Sequence, residues 1–273
     1  MSFELGLLLA AIGVGASILG TVIGAGGGFL LVPALLFLFP QESPAALASV
    51  SLAVVFFNGL SGSLAFARQG RIDYRSALLF SLVALPGATL GALATRVLPG
   101  PAFAAIFGVA LLLAAAYLVL QPRLGSGTGG WKEGWAVRKL EDHRGQTYMY
   151  SFSARAGMAW NFLIGFFANL LGIGGGIVQV PMLMRLHFPL YVATATSQAI
   201  LVVTSLAGSL VHLAAGEYGA NYGRVLLLAA AVVAGAQVGA RLSYRLRTVL
   251  VLRLMAVALA LVGLRLLVQV VVG

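Results

Sequence analysis

Apolar runs close to the length of a bilayer crossing recur from one end of this chain to the other. A helix needs roughly 20 apolar residues to cross the hydrocarbon core. Hydrophobic residues make up 60% of the chain and charged residues 9%, with a mean hydropathy of +1.01. Soluble domains carry about 25% charged residues, so folding in water is ruled out on composition. In lipid every backbone polar group has to be satisfied within its own segment, which makes such runs helices. The short period-two alternation of a membrane β-barrel is absent. The expected class is therefore all-α: a polytopic transmembrane helical bundle.

The formal charge of +10 and the pI near 10.7 raise the alternative of a nucleic-acid binder. The basic residues are scattered through short loops between apolar spans, where Lys and Arg fix membrane orientation, so no nucleic-acid partner is expected. With no cysteine there is no disulfide framework and no thiolate metal site. Met1–Glu4 lacks a basic leader, and the apolar stretch after it continues past Gly24 without a convincing cleavage site. A cleavable signal peptide is not expected.

Internal repetition sets the organisation. Gly24-Ala25-Gly26-Gly27-Gly28 leads to Val32-Pro33, and Gly172-Ile173-Gly174-Gly175-Gly176 leads to Val180-Pro181, an offset of 172 − 24 = 148. The same offset pairs Ser49 with Ser197, Tyr74 with Tyr222, and Gly87/Gly91 with Gly235/Gly239. Residues 1–120 and 156–273 are read as two transmembrane repeats joined by a polar connection, 121–155. Within that connection Gly125–Gly130 reads as a flexible linker, and Trp131, Trp135 and Trp160 as candidate interfacial anchors. Each repeat starts with a glycine-interrupted unit, Leu5–Phe39 or Ala156–Met184, followed by three spans.

Loop charges predict that the repeats are inverted. The loop 68–75 is basic, whereas its mate at 217–222 has no Lys or Arg; the loop after Arg96 is nearly neutral, whereas its mate carries Arg241, Arg245 and Arg247. The positive-inside rule puts matching loops on opposite sides. Each half then has an odd number of crossings, and each glycine unit returns to its starting side as a broken or re-entrant helix. Loops near 68–75, 121–155, 185–190 and 241–248 become cytoplasmic, with both termini outside.

Glycine runs break a helix, and the helix that restarts presents free N–H groups and a positive dipole end that favour an anion. Interrupted helices in matching positions of two halves mark a transporter's binding site. Close packing through small residues is the competing reading, and it suits Gly87/Gly91 and Gly235/Gly239 best. A nucleotide loop is excluded, because no Lys-Ser/Thr follows the glycines. At 100° per residue, Thr194, Gln198, Ser205, Ser209 and His212 share one stripe, flanked by Ser197 and Thr204; Ser51 and Asn58 share a sparser one, with Ser49 opposite. His212 reads as an interfacial histidine near its span's end. Glu4, Glu42, Asp73 and Glu217 fall at span ends or in loops, so no acidic coupling site sits mid-span. Arg253 and Arg265 read as snorkelling residues of the last span. No nucleophile–base set, metal cluster or cofactor motif is present, so an enzyme is not expected.

Two copies of Gly-x-Gly-Gly-Gly-x-x-x-Val-Pro, at Gly24–Pro33 and Gly172–Pro181, make the chain resemble the sulfite exporter TauE/SafE family. The resemblance implies a bacterial inner-membrane permease moving sulfite or organosulfonates, usually outward. The site expected is Gly26, Gly27 and Gly28 with Gly174, Gly175 and Gly176, joined by Ser49, Asn58, Thr194, Ser197 and Gln198. The partners expected are a small anion and the lipid bilayer, and a homodimer is compatible with the sequence. A passive channel for anions or small neutral solutes is the alternative.

Overall fold

The computed structural model describes residues 3–120, 135–244 and 248–272, without the side chains of 220, 248–255 and 271–272. The glycine linker Gly125–Gly130, Trp131, Arg245 and Arg247 lie outside the described residues, as does the Arg253 side chain.

The first half folds into α1 (Phe3–Ile23), α2 (Gly28–Leu38), α3 (Pro44–Ala67), α4 (Tyr74–Thr95) and α5 (Gly100–Leu120). The second gives α6 (Ala154–Leu170), α7 (Gly176–Arg185), α8 (Leu190–Ala214), α9 (Tyr222–Leu242) and α10 (Thr248–Val272). Among the described residues six helices, α1, α3, α4, α5, α8 and α9, are long and apolar enough to cross a membrane. The chain is a multi-pass membrane protein. Local chemistry fixes the helix starts: Ser43 caps α3 ahead of Pro44, Asp73 caps α4, and Ser153 caps α6, each side chain accepting an otherwise unpaired N–H.

The halves are interleaved. α1 lies along α9, α4 along α6, α5 along α10, and α3 crosses α8. Exchanging the halves through the 148-residue offset turns α1–α9 into α6–α4, so the packing repeats itself. Small residues allow these approaches. A Cβ on Gly87 would fall 2.2 Å from the Phe162 carbonyl oxygen, and one on Gly91 2.1 Å from that of Phe166. Their mates Gly235 and Gly239 meet the carbonyl oxygens of Val14 and Ile18 at 2.8 and 2.7 Å. The packing reading of these glycines is therefore the correct one. In the centre Gly59 faces Val202, Gly62 faces Gln198 and Gly208 faces Leu52, so α3 and α8 run antiparallel.

The expectation of an all-α fold is corrected by one feature. Ala136–Glu141 (β1) and Thr147–Phe152 (β2) form an antiparallel hairpin, with Ala136 opposite Phe152 and Glu141 opposite Thr147. Alternation decides it: Tyr148, Tyr150 and Phe152 are buried while Met149 is exposed. Asp142 closes the turn by accepting the N–H groups of Arg144 and Gln146. Phe152 and Tyr150 pack on Phe188, with ring centroids 4.8 and 4.6 Å away. Tyr150 donates to buried Asp73; burial first, then that carboxylate, raises the phenol well above its usual value, so it remains a donor. The hairpin thus ties the 68–75 loop to Phe188 at one end of the bundle. At the other end Arg224 pairs with Glu42, and Arg96 lies 3.4 Å from Glu217.

Candidate functional site

Each glycine element ends one helix and restarts another. Gly27 and Gly175, the residues before α2 and α7, have φ of 76° and 89°, and no side chain caps either helix. Such left-handed backbone is routine only for glycine. The N–H groups of Gly26 and Gly174, expected at the site, instead bond the Gly20 and Ala168 carbonyls, and the third N–H of each new helix bonds back to Gly27 or Gly175. The first two N–H groups of α2 and α7 are left to the protein interior, at the positive ends of 11- and 10-residue helices. α1 runs parallel to α9, since Gly13 meets Leu228 and Ala231 while Gly239 meets Ile18 and Thr21. Past the break the chain folds back along α1: Gly27 touches Ala16, and Glu42 beyond α2 binds Asn221 and Arg224 near the start of α9.

The two elements meet each other. A Cβ on Gly28 would lie 2.8 Å from the Ile173 carbonyl oxygen, and one on Gly176 would lie 2.5 Å from both the Gly24 oxygen and the Ala25 Cα. These are the same contact made twice, since 25 and 173, like 28 and 176, differ by 148. Val55 and Leu201 wedge against Gly26 and Gly174 from α3 and α8. Beside the first element lies a narrow crevice too tight for a water molecule, lined by residues that include Gly13, Ser17, Gly26, Gly27, Gly28 and Val232.

The polar residues expected at the site divide into three groups. Ser197 donates across the halves to the Gly24 carbonyl at 2.9 Å, and the Thr194 backbone abuts the same glycine. Asn58 is fully buried and bridges Ser17 and Thr21 on α1. Gln198 is also fully buried beside Thr21 and Gly62, yet neither its amide oxygen nor its amide nitrogen has a partner. An unpartnered buried amide costs about 1–3 kcal/mol and asks for a functional explanation. Ser49 stands apart. Its hydroxyl donates to Ala46 of its own helix at 2.7 Å, although neighbouring Ala48 touches Gly172.

Sequence reasoning missed several buried polar groups here. Ser17 and Thr21 lie one helical turn apart on α1, facing Asn58; Asn161 and Gln179 hydrogen-bond at 2.8 Å in the second unit. The i, i+4 spacing of Ser17 and Thr21, and the 148 offset linking Thr21 to Asn169, were the available signals. His212 lies near the end of α8, as expected, and is fully buried with both ring nitrogens unpartnered. Arg265 stacks over Phe37, 4.1 Å from the ring centroid, and Trp160 is half-exposed on α6. Every described carboxylate occupies a helix end, a loop or the hairpin, and no cluster of His, Cys, Asp or Glu able to hold a metal occurs among the described residues.

Comparison with known families decides the assignment, because the model of the sulfite exporter TauE/SafE family matches residues 9–266. The chain belongs to the TauE/SafE family. This TauE/SafE protein is 33% identical over 270 residues to the probable membrane transporter protein YunE of Bacillus subtilis, covering 96% of both chains. It is 26% identical over 220 residues to the probable membrane transporter protein MJ0441 of Methanocaldococcus jannaschii, covering 79% of this chain and 75% of that one. No solved structure matches it. The family's description and the relatives' names both indicate membrane transport, and the TauE/SafE chain is a membrane transporter.

Proposed function

We propose that this TauE/SafE protein exports a small sulfur-containing anion, sulfite or an organosulfonate, across the bacterial inner membrane by alternating access. One observation carries the reading. Two uncapped helix N-termini meet in the buried middle of the bundle, and α8, which touches the first glycine element through Thr194 and Ser197, carries at Gln198 an amide that has no partner. Both features suit an oxyanion, which takes hydrogen bonds from backbone N–H groups and a side-chain NH₂. The described carboxylates stay clear of this centre, where they would repel it. A negative interior drives anion exit by about 2.3 kcal/mol per charge per 100 mV, so export requires no buried coupling carboxylate.

The repeats are read as inverted, with each glycine unit re-entrant. Opposite loop charges support this, as does the antiparallel crossing of α3 with α8. The interleaving changes the motion expected. Since α1 packs on α9 and α4 on α6, the bodies that rock are these mixed pairs rather than the two sequence halves.

Proteoliposomes loaded with sulfite, sulfoacetate, taurine or sulfate are expected to release at least one sulfur anion with saturable kinetics. Flux that rises linearly through the millimolar range would instead establish the channel alternative, and saturable transport of divalent metals alone would overturn the anion reading. For topology, cysteines at the exposed positions Arg75 and Gly223 are expected to react with a membrane-impermeant maleimide from opposite sides. Labelling from one side only would sink the inverted repeat.

A further inference from the structure

Among the described residues no carboxylate forms an ion pair with the guanidinium of Arg71. The loop between α3 and α4 places it at the end of the bundle covered by the hairpin, with its side chain 0% exposed. Nη1 donates to Gln69 Oε1 at 2.8 Å and to Ser243 Oγ at 3.1 Å. The guanidinium stacks over Tyr244 and Tyr191, 4.1 and 4.5 Å from their ring centroids, and over Phe66 at 5.3 Å. Nε and Nη2 have no partner among the described residues, and neither has the Tyr244 hydroxyl. Asp142, the carboxylate whose field reaches Arg71, is engaged by the hairpin turn and by Tyr148. Burial accordingly pulls the guanidinium below its usual value, and the aromatic rings offset only part of that desolvation.

The free donors have a specific shape. Nε and Nη2 share one edge of the guanidinium plane, and their parallel N–H bonds match two oxygens of a carboxylate or oxyanion. Nη1, held by Gln69 and Ser243, and the rings on its faces fix the direction of that edge. Gln69 and Phe66 belong to the first half, Ser243, Tyr244 and Tyr191 to the second, so both halves build the pocket. Tyr191 also opens the α8 face that continues to Thr194 and Gln198. Gln198 lies seven residues on, about 10 Å along the axis at 1.5 Å per residue.

We propose that the Nε/Nη2 edge of Arg71 is a second anion site, where a small oxyanion docks in bidentate fashion before passing along α8 to the glycine crossover. Its place in the transport route rests on the anion-export reading, whereas its chemistry does not. The hairpin turn covers it: His143 donates its backbone N–H to the Gln69 carbonyl at 3.1 Å, and its Nδ1 lies 2.9 Å from the Arg68 carbonyl. Entry therefore requires this turn to lift.

The test uses the full-length protein in detergent, with sulfite and sulfate as probes against chloride of equal ionic strength. The oxyanions are expected to raise the unfolding midpoint of the wild type. Arg71→Lys, which keeps the charge but lacks the paired edge, is expected to diminish that rise, while Gly223→Ala, whose added Cβ meets nothing within 4 Å, keeps it in full. In proteoliposomes Arg71→Lys is expected to raise the KM for sulfite from the hairpin side roughly tenfold, with the maximal rate little changed. A midpoint rise as large in Arg71→Lys as in the wild type overturns the site. An unchanged KM in that variant, alongside wild-type sulfite transport, also overturns the site but leaves the export reading standing. An Arg71-dependent rise without transport of any tested anion supports the site and defeats the export reading. Should the lysine variant not fold, phenylglyoxal labelling of the wild type decides. Protection of the Arg71 peptide by sulfate but not chloride supports the site, and equal labelling in the two salts overturns it.

Discussion

Replacing Gly176 with alanine is expected to cut sulfite flux in proteoliposomes by about 100-fold or more, the order of loss that follows an ångström-scale displacement of binding groups. The added Cβ would lie 2.5 Å from the Gly24 oxygen and the Ala25 Cα and 2.7 Å from the Ala25 carbonyl carbon. All three are backbone atoms, so no side chain can rotate away, and the two glycine elements have to separate. Gly176 does not have a positive φ, which makes the effect one of contact alone. Gly28→Ala, facing Val55 Cγ2 at 2.6 Å and the Ile173 oxygen at 2.8 Å, should reproduce it from the other half. Gly223→Ala is the control, since its Cβ meets nothing within 4 Å. Flux within twofold of wild type in Gly176→Ala, in protein that elutes as folded, would falsify the crossover as the transport site.

Gln198→Met is expected to move stability and transport in opposite directions. Methionine keeps the length of the side chain and removes two buried polar atoms that have no partner. Removing an unsatisfied buried group should stabilise the fold by about 1 kcal/mol, visible as a rise of a few degrees in the unfolding midpoint. If the amide waits for an anion, the KM for sulfite should rise about tenfold in the same variant. Loss of stability and transport together would show instead that Gln198 is a packing residue.

The helices and the two glycine elements could be read in advance because apolar runs and a fixed 148-residue offset are properties of the chain itself. The packing role of Gly87/Gly91 and Gly235/Gly239 was readable for the same reason: their four-residue spacing lays them on one helix face. Other features depend on partners distant in sequence. Arg71 reads as an ordinary basic loop residue, since nothing near it announces that Tyr191 and Tyr244 will enclose it. The hairpin was hidden inside a polar connection, although the alternation of Tyr148, Tyr150 and Phe152 is visible once strands are sought. Ser17 and Thr21 share a helix face by their spacing, whereas a single polar residue such as Asn161 leaves no periodic trace in an apolar helix. Their burial is set by which helix lies opposite. Ser49 shows the converse: its place in the repeat matches that of Ser197, yet it bonds its own helix rather than the facing glycine element.

The interleaving of helices also has a consequence for how the protein is made. α1 ends at Ile23 and its neighbour α9 starts at Tyr222, so 221 − 23 = 198 residues must be synthesised between them. At roughly 5–20 residues per second, α1 waits about 10–40 s in the membrane before the helix that buries its small-residue face emerges from the ribosome. During that interval the N-terminal half is an incomplete object, open to lipid, to the insertion machinery or to another nascent chain. For this transporter, assembly is an event of late translation, and its first helices are among the last to reach their final partners.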